Sequence, residues 1–135
     1  IAVYRAAKQQ GMEKAVELWL EHPLFAAGKN NAAFQKKMRQ MLQDNFNNWK
    51  PNPDAAKPVW AKFSTIEKIR EISKPTFIIV GEQDTSVILK IGDILNAEIP
   101  QSQKIVIPKV SHHLNMEQPK KFNRVVLNFL KNYKF

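Results

Sequence analysis

The stretch "PTFIIVGEQDTSVILKIGDILNAEIPQSQKIVIP", Pro75 to Pro108, reads as strand, loop, helix and strand in that order. Its opening, Pro75 to Val80, is short, apolar and rich in β-branched residues, as expected of a strand buried on both faces of a parallel sheet. The run ends at Gly81. Val87, Ile88, Ile91, Ile94 and Leu95 then recur at helical spacing until Pro100 stops the pattern, and "KIVIP", Lys104 to Pro108, gives the second strand. A strand, a helix and a second parallel strand make a right-handed crossover, which sets both strand C-terminal ends on one edge of the sheet. Farther on, Pro119 opens "PKKFNRVVLNFLKNY", where Phe122, Val125, Val126, Phe129 and Leu130 form the apolar stripe of a last helix over the sheet.

Upstream the character changes. Residues 1–73 carry helical periods and no convincing strand, so the chain divides into a helical region, 1–73, and a βαβα region, 74–135. "MEKAVELWLEHPLF" sets Ala15, Leu18, Trp19 and Leu20 at helical spacing and stops at Pro23, which disfavours helix at the residue before it. "NAAFQKKMRQMLQDNF" puts Phe34, Met38, Met41, Leu42 and Phe46 on one face. Three prolines in "KPNPDAAKPVW" mark a turn-rich joint, and "STIEKIREI" offers Ser64 or Thr65 as an N-cap. Trp19, Phe25, Phe34, Phe46, Trp49 and Trp60 fill the spaces between these helices or line an apolar ligand pocket; as a group they favour a lid-like layer with an apolar inner face.

Bulk properties narrow the function. At 135 residues and 44% hydrophobic content the chain is of single-domain size with enough apolar matter for a core. Without cysteine it has no disulfide, no thiolate nucleophile and no Cys-based zinc site, and a cytoplasmic compartment fits that usage. No apolar run approaches the roughly 20 residues of a membrane span, and "IAVYRAAKQQ" lacks a signal-peptide pattern, so no membrane association is expected. The absent initiator methionine and the helix-like opening at Ile1 suggest a chain that begins partway through a longer protein. The net charge of +9 comes from lysines scattered over every segment, a coat that suits solubility better than nucleic-acid recognition. His22, His112 and His113 have no carboxylate at metal-ligand spacing, and no phosphate-cradling loop occurs, so neither metal nor cofactor is expected.

Two strand-end loops carry the candidate chemistry. Asp84 lies four residues after Val80 and His112 five after Ile107. On neighbouring strands roughly 5 Å apart, the two loops can bring a carboxylate and an imidazole within hydrogen-bonding distance. Such a carboxylate accepts from one ring nitrogen, fixes the tautomer and stabilises the imidazolium formed when the other nitrogen takes a proton. Two readings stand for each residue at this point: Asp84 is that acid or the N-cap of a helix beginning at Thr85, and the His112–His113 pair is catalytic or an ordinary surface loop.

"KPTFIIVGEQDTS" followed by "IPKVSHHLNMEQPKKFNRVVLNFL" resembles the C-terminal part of an α/β-hydrolase, in the branch of enol-lactonases, C–C bond hydrolases and small carboxylesterases. The family's G-x-x-D acid loop is matched from Gly81 to Asp84, and its G-H-x-x-x-x-E-x-P histidine loop from Ser111 to Pro119. The resemblance implies Asp84 and His112 as the acid and base of a Ser-Asp-His triad, with His113 at a commonly apolar position where it shapes the pocket or is incidental. It covers Lys74 to Phe135; over residues 11–62 it says only that the helical segment is similar to the family's cap. Ser111 replaces the glycine usual before the histidine. The larger departure is the nucleophile: glycines occur only at Gly11, Gly28, Gly81 and Gly92, none two residues from a serine, so there is no G-x-S-x-G elbow.

The expectation is therefore a C-terminal part of a serine hydrolase for a small ester, lactone or related carbonyl compound, inactive by itself. Its partners would be that small-molecule substrate and the N-terminal half of the same protein or a second copy, since two parallel strands alone leave an open edge and an uncovered face. A non-catalytic ligand-binding or scaffold module of the same fold is the alternative.

Overall fold

The structure, a computed structural model, describes residues 2–45 and 68–133. Its first part is helical: α1 (Ala2–Gln10), α2 (Met12–Leu20), a 3₁₀ turn at Pro23–Phe25 and α3 (Ala32–Asp44). Gly11 breaks α1 from α2 at φ +89°, a conformation open to a residue without Cβ. His22 caps the 3₁₀ turn by accepting the Leu24 N–H on Nδ1 at 3.3 Å, and the Asn31 side chain accepts from Phe34 N at 3.0 Å to start α3. Val16, Leu20, Phe25, Phe34 and Met38 form the buried core of this layer, with Trp19, Leu24, Leu42 and Met116 packed around them. Met116 comes from the far end of the chain and closes that core. The N-cap expected at Ser64 or Thr65, and Phe46, Trp49 and Trp60, lie outside the described residues.

The second part is β1 (Thr76–Gly81), α4 (Ser86–Glu98), β2 (Ser102–Ile107), the single turn α5 (Leu114–Glu117) and α6 (Pro119–Lys131), preceded by a 3₁₀ turn at Ile69–Glu71. β1 and β2 pair in parallel from Thr76↔Ser102 to Gly81↔Ile107. Pro75 stays outside β1 because it has no N–H for the ladder, whereas Thr76 N donates to Gln101 O at 2.9 Å. β2 begins two residues before "KIVIP", since Ser102 and Gln103 pair through their backbones whatever their side chains. The two faces of the sheet are covered unequally. α4 lies over Ile78 and Val80, approaching so closely at Gly92 that a Cβ there would stand 2.9 Å from Val80 Cγ1. On the other face Phe129 of α6 stacks on Phe77 with centroids 4.7 Å apart. Ile78 and Val80 are buried but Phe77 and Ile79 only half-buried, so the strand expected to be buried on both faces is so on one.

An ion pair between Lys104 and Asp93 ties β2 to the crossover helix, and another joins Arg70 to Glu98. Among the described residues no helix is long and apolar enough to cross a membrane.

Candidate active site

Because the strands are parallel and end together at Gly81 and Ile107, the loops that follow them leave from the same edge. They are stitched to each other by backbone: Glu82 N donates to Ile107 O and Gln83 N to Val110 O, both at 2.9 Å. Lys109 turns the second loop at φ +60° and gives its N–H to the Glu82 carboxylate at 3.0 Å. The close approach requires Gly81, whose hypothetical Cβ would lie 2.2 Å from Ser111 O and 2.6 Å from Val110 O.

That stitching brings Asp84 and His112 together. Asp84 Oδ2 lies 2.8 Å from His112 Nδ1, and Oδ1 accepts the Thr85 N–H at 2.7 Å. The Asp84 side chain is 2% exposed and the His112 side chain 38%. The carboxylate is thus held in the interior against a ring that solvent reaches. With Nδ1–H donated to Asp84, the lone pair falls on Nε2, the arrangement that lets an imidazole accept a proton there. Asp84 is not the N-cap of α4: that helix starts at Ser86 with Thr85 in the cap position, and Asp84 holds only the N–H next to it.

The same loop has a second layer of contacts. Glu117 reaches back from α5 to accept Ser111 N–H at 2.8 Å and His113 N–H at 3.1 Å, bracketing His112 from both sides. Ser111 is fully buried, its Oγ 2.8 Å from Glu117 Oε1 and 3.0 Å from Leu24 O. Leu24 O also accepts His112 N–H at 3.3 Å. Glu117 falls at the E of the family's histidine-loop pattern without having been singled out in the sequence, and the Leu24 carbonyl carries no side-chain signature.

His113 turns the other way, into the helical layer. Its ring stacks on Phe25 at 4.7 Å and meets Phe34 edge-on at 6.0 Å, and its Nδ1 is buried without a hydrogen-bond partner. Burial pushes its pKa below the ordinary imidazole value. The adjacent His112 adds to that depression, while Leu24, Glu117 and Asp84 oppose it. Among the described residues no hydroxyl is hydrogen-bonded to the His112 ring, and no group of three His, Asp or Glu side chains is gathered to hold a metal.

A family model described as alpha/beta hydrolase fold matches residues 4–119. Over 131 residues the chain is 27% identical to the 2-hydroxy-6-oxononadienedioate/2-hydroxy-6-oxononatrienedioate hydrolase of Klebsiella pneumoniae, covering 96% of this chain and 44% of that protein. It is 38% identical over 72 residues to 3-oxoadipate enol-lactonase 1 of Acinetobacter baylyi, covering 53% of this chain and 27% of that one. The solved structure of MenH from S. aureus shares the fold with a TM-score of 0.70 at 23% identity, over 97% of this chain and 49% of that chain. The chain spans about half the length of the Klebsiella hydrolase and of the S. aureus MenH chain, and its match to the enol-lactonase covers about a quarter of that protein.

Proposed function

The chain belongs to the α/β-hydrolase fold family, and from that premise we propose that Asp84 and His112 are the acid and base of a Ser-Asp-His triad. In this reading, residues 74–135 are part of the catalytic core and residues 1–73 are its lid. The serine on a G-x-S-x-G turn and the oxyanion donors come from outside these 135 residues, from the other half of the same protein or a second copy. The observation that carries the reading is the 2.8 Å contact between His112 Nδ1 and an Asp84 carboxylate that is 2% exposed.

The chemistry runs from that geometry. Nε2 takes the serine proton as the hydroxyl attacks a carbonyl carbon, and the imidazolium so formed is stabilised by Asp84 across Nδ1–H. Nε2–H then passes its proton to the leaving oxygen or carbon, and the roles reverse when water releases the acyl group. The relatives named as an enol-lactonase and a hydrolase of an oxo-dienedioate support a small carbonyl substrate such as an ester or lactone.

His112→Ala in the protein that contains the serine is expected to lower kcat on the order of 10³-fold or more, with its thermal unfolding unchanged. Turnover within a few-fold of the parent would refute the assignment.

A further inference from the structure

We propose that Ser111 is a positioning residue for His112: its buried hydroxyl ties the histidine loop to the Leu24 carbonyl of the helical layer, so that the orientation of the catalytic imidazole depends on that layer. The proposal rests on the triad reading given above and deepens it.

Three consecutive residues, Ser111 to His113, are gripped by two adjacent ones, Leu24 and Phe25. Leu24 O lies 3.0 Å from Ser111 Oγ and accepts His112 N–H at 3.3 Å, while the Phe25 ring stacks on His113 at 4.7 Å. From the opposite side Glu117 holds Ser111 N and His113 N. Ser111 alone reaches both sides with one side chain, since its Oγ is also 2.8 Å from Glu117 Oε1. A hydroxyl has one proton for these two acceptors, and at this fully buried position no solvent replaces it. The glycine that the family usually carries here would leave the long His112 N–H contact as the polar attachment between Leu24 and the loop.

His112 feels this because its own polar contact on the other side is short and rigidly backed. Asp84 is fixed by the Thr85 N–H, and the stitched backbones of the two loops set the distance between the partners. A shift of about an ångström in the loop breaks the 2.8 Å contact, and displacements of that size in a catalytic group cost up to about a hundredfold in rate. The helical layer therefore acts on the base through a backbone carbonyl and needs no side chain of its own in the reaction.

The test uses the intact protein, with p-nitrophenyl acetate as reporter ester and proton–nitrogen NMR of the imidazole Nδ1–H resonances. Ser111→Ala and Ser111→Gly are each expected to lower kcat by about tenfold to a hundredfold while KM changes by less than about twofold. In the same variants the Nδ1–H signal of His112, sharp in the parent through its bond to Asp84, broadens or disappears while thermal unfolding remains cooperative. An unchanged signal and kcat in Ser111→Ala overturn the proposal, as does loss of folding in both variants, which would make Ser111 structural only. Failure of the triad reading shows separately, as undiminished turnover in His112→Ala. In that event the Nδ1–H signal still decides whether Ser111 positions the His112 ring, because it requires no catalysis.

Discussion

His113 and His112 are adjacent and chemically identical, yet their surroundings give them opposite tasks. His112 faces a carboxylate and solvent, whereas His113 lies between two phenyl rings with an unpartnered Nδ1. A proton on His113 would have to sit in an apolar slot beside His112, so the folded state favours the neutral ring. The sign follows from linkage: with the folded pKa depressed, the unfolded chain binds the extra proton first. Its stabilising contribution is complete above the ordinary imidazole value of about 6.5 and is lost as pH falls from there through the folded value. His113→Phe preserves the stacking and removes the titration. The stability difference between the parent and this variant, measured by denaturant unfolding, should therefore tilt against the parent as pH drops below about 6.5. A difference that is flat between pH 5 and 8 would show that His113 is not held neutral. At this scale the pairing of Asp84 with His112 was legible as one of two readings from residue type and distance from the strand ends, and the family resemblance favoured it over a helix cap and a surface loop. The Leu24 carbonyl was not, because every residue has one and only tertiary packing selects it.

Between elements, α4 approaches β1 closely at Gly92. Replacing Gly92 with alanine gains about 1 kcal/mol of helix propensity. The new Cβ, however, would stand 2.9 Å from Val80 Cγ1 on a side chain with little χ1 freedom. Overpacking of this kind costs about 1–3 kcal/mol, so the clash outweighs the propensity and the variant should be less stable by up to about 2 kcal/mol. In a Val80→Ala background the obstacle is gone, and the same Gly92→Ala change should become neutral or stabilising in urea denaturation. Additive losses in the double variant would show that Val80 is not the obstacle. The helix itself was plain from its spacing, but its covered face was not. Its apolar positions form a stripe wider than two strands can cover, and Val87 and Ile91 remain 64% and 45% exposed. Periodicity identifies which residues share a face and is silent about what meets it.

For the whole molecule those uncovered positions add up. Val87 and Ile91 on α4, Val106 on β2, and Leu127 and Leu130 on α6 are large apolar side chains open to water, and among the described residues β1 pairs only with β2. Scattered exposed apolar residues are ordinary, but a set flanking an open two-stranded parallel sheet favours association. The 135-residue chain by itself is expected to associate or precipitate in light scattering, and, on the proposed reading, to become soluble when a chain carrying the N-terminal half of the fold is supplied. A stable, monodisperse species of 15.6 kDa would count against this. The parallel pairing of β1 and β2 through a crossover helix was readable from period, as was the helical character of the described upstream residues. The joint between them was not, since Met116 and Leu24 meet their partners from opposite ends of the chain.

That joint also has a kinetic side. Leu24 and Ser111 are 87 residues apart, whereas Asp84 and His112 are separated by 28. Closing the longer loop costs about 1 kcal/mol more in chain entropy than closing the shorter one. The two strand-end loops can meet as soon as the crossover has formed, while the Leu24 carbonyl reaches the histidine loop through a contact of much higher order. Formation of the sheet and of the Asp84–His112 contact is thereby separable from the docking of Leu24 on Ser111: the first can be complete before the second has closed.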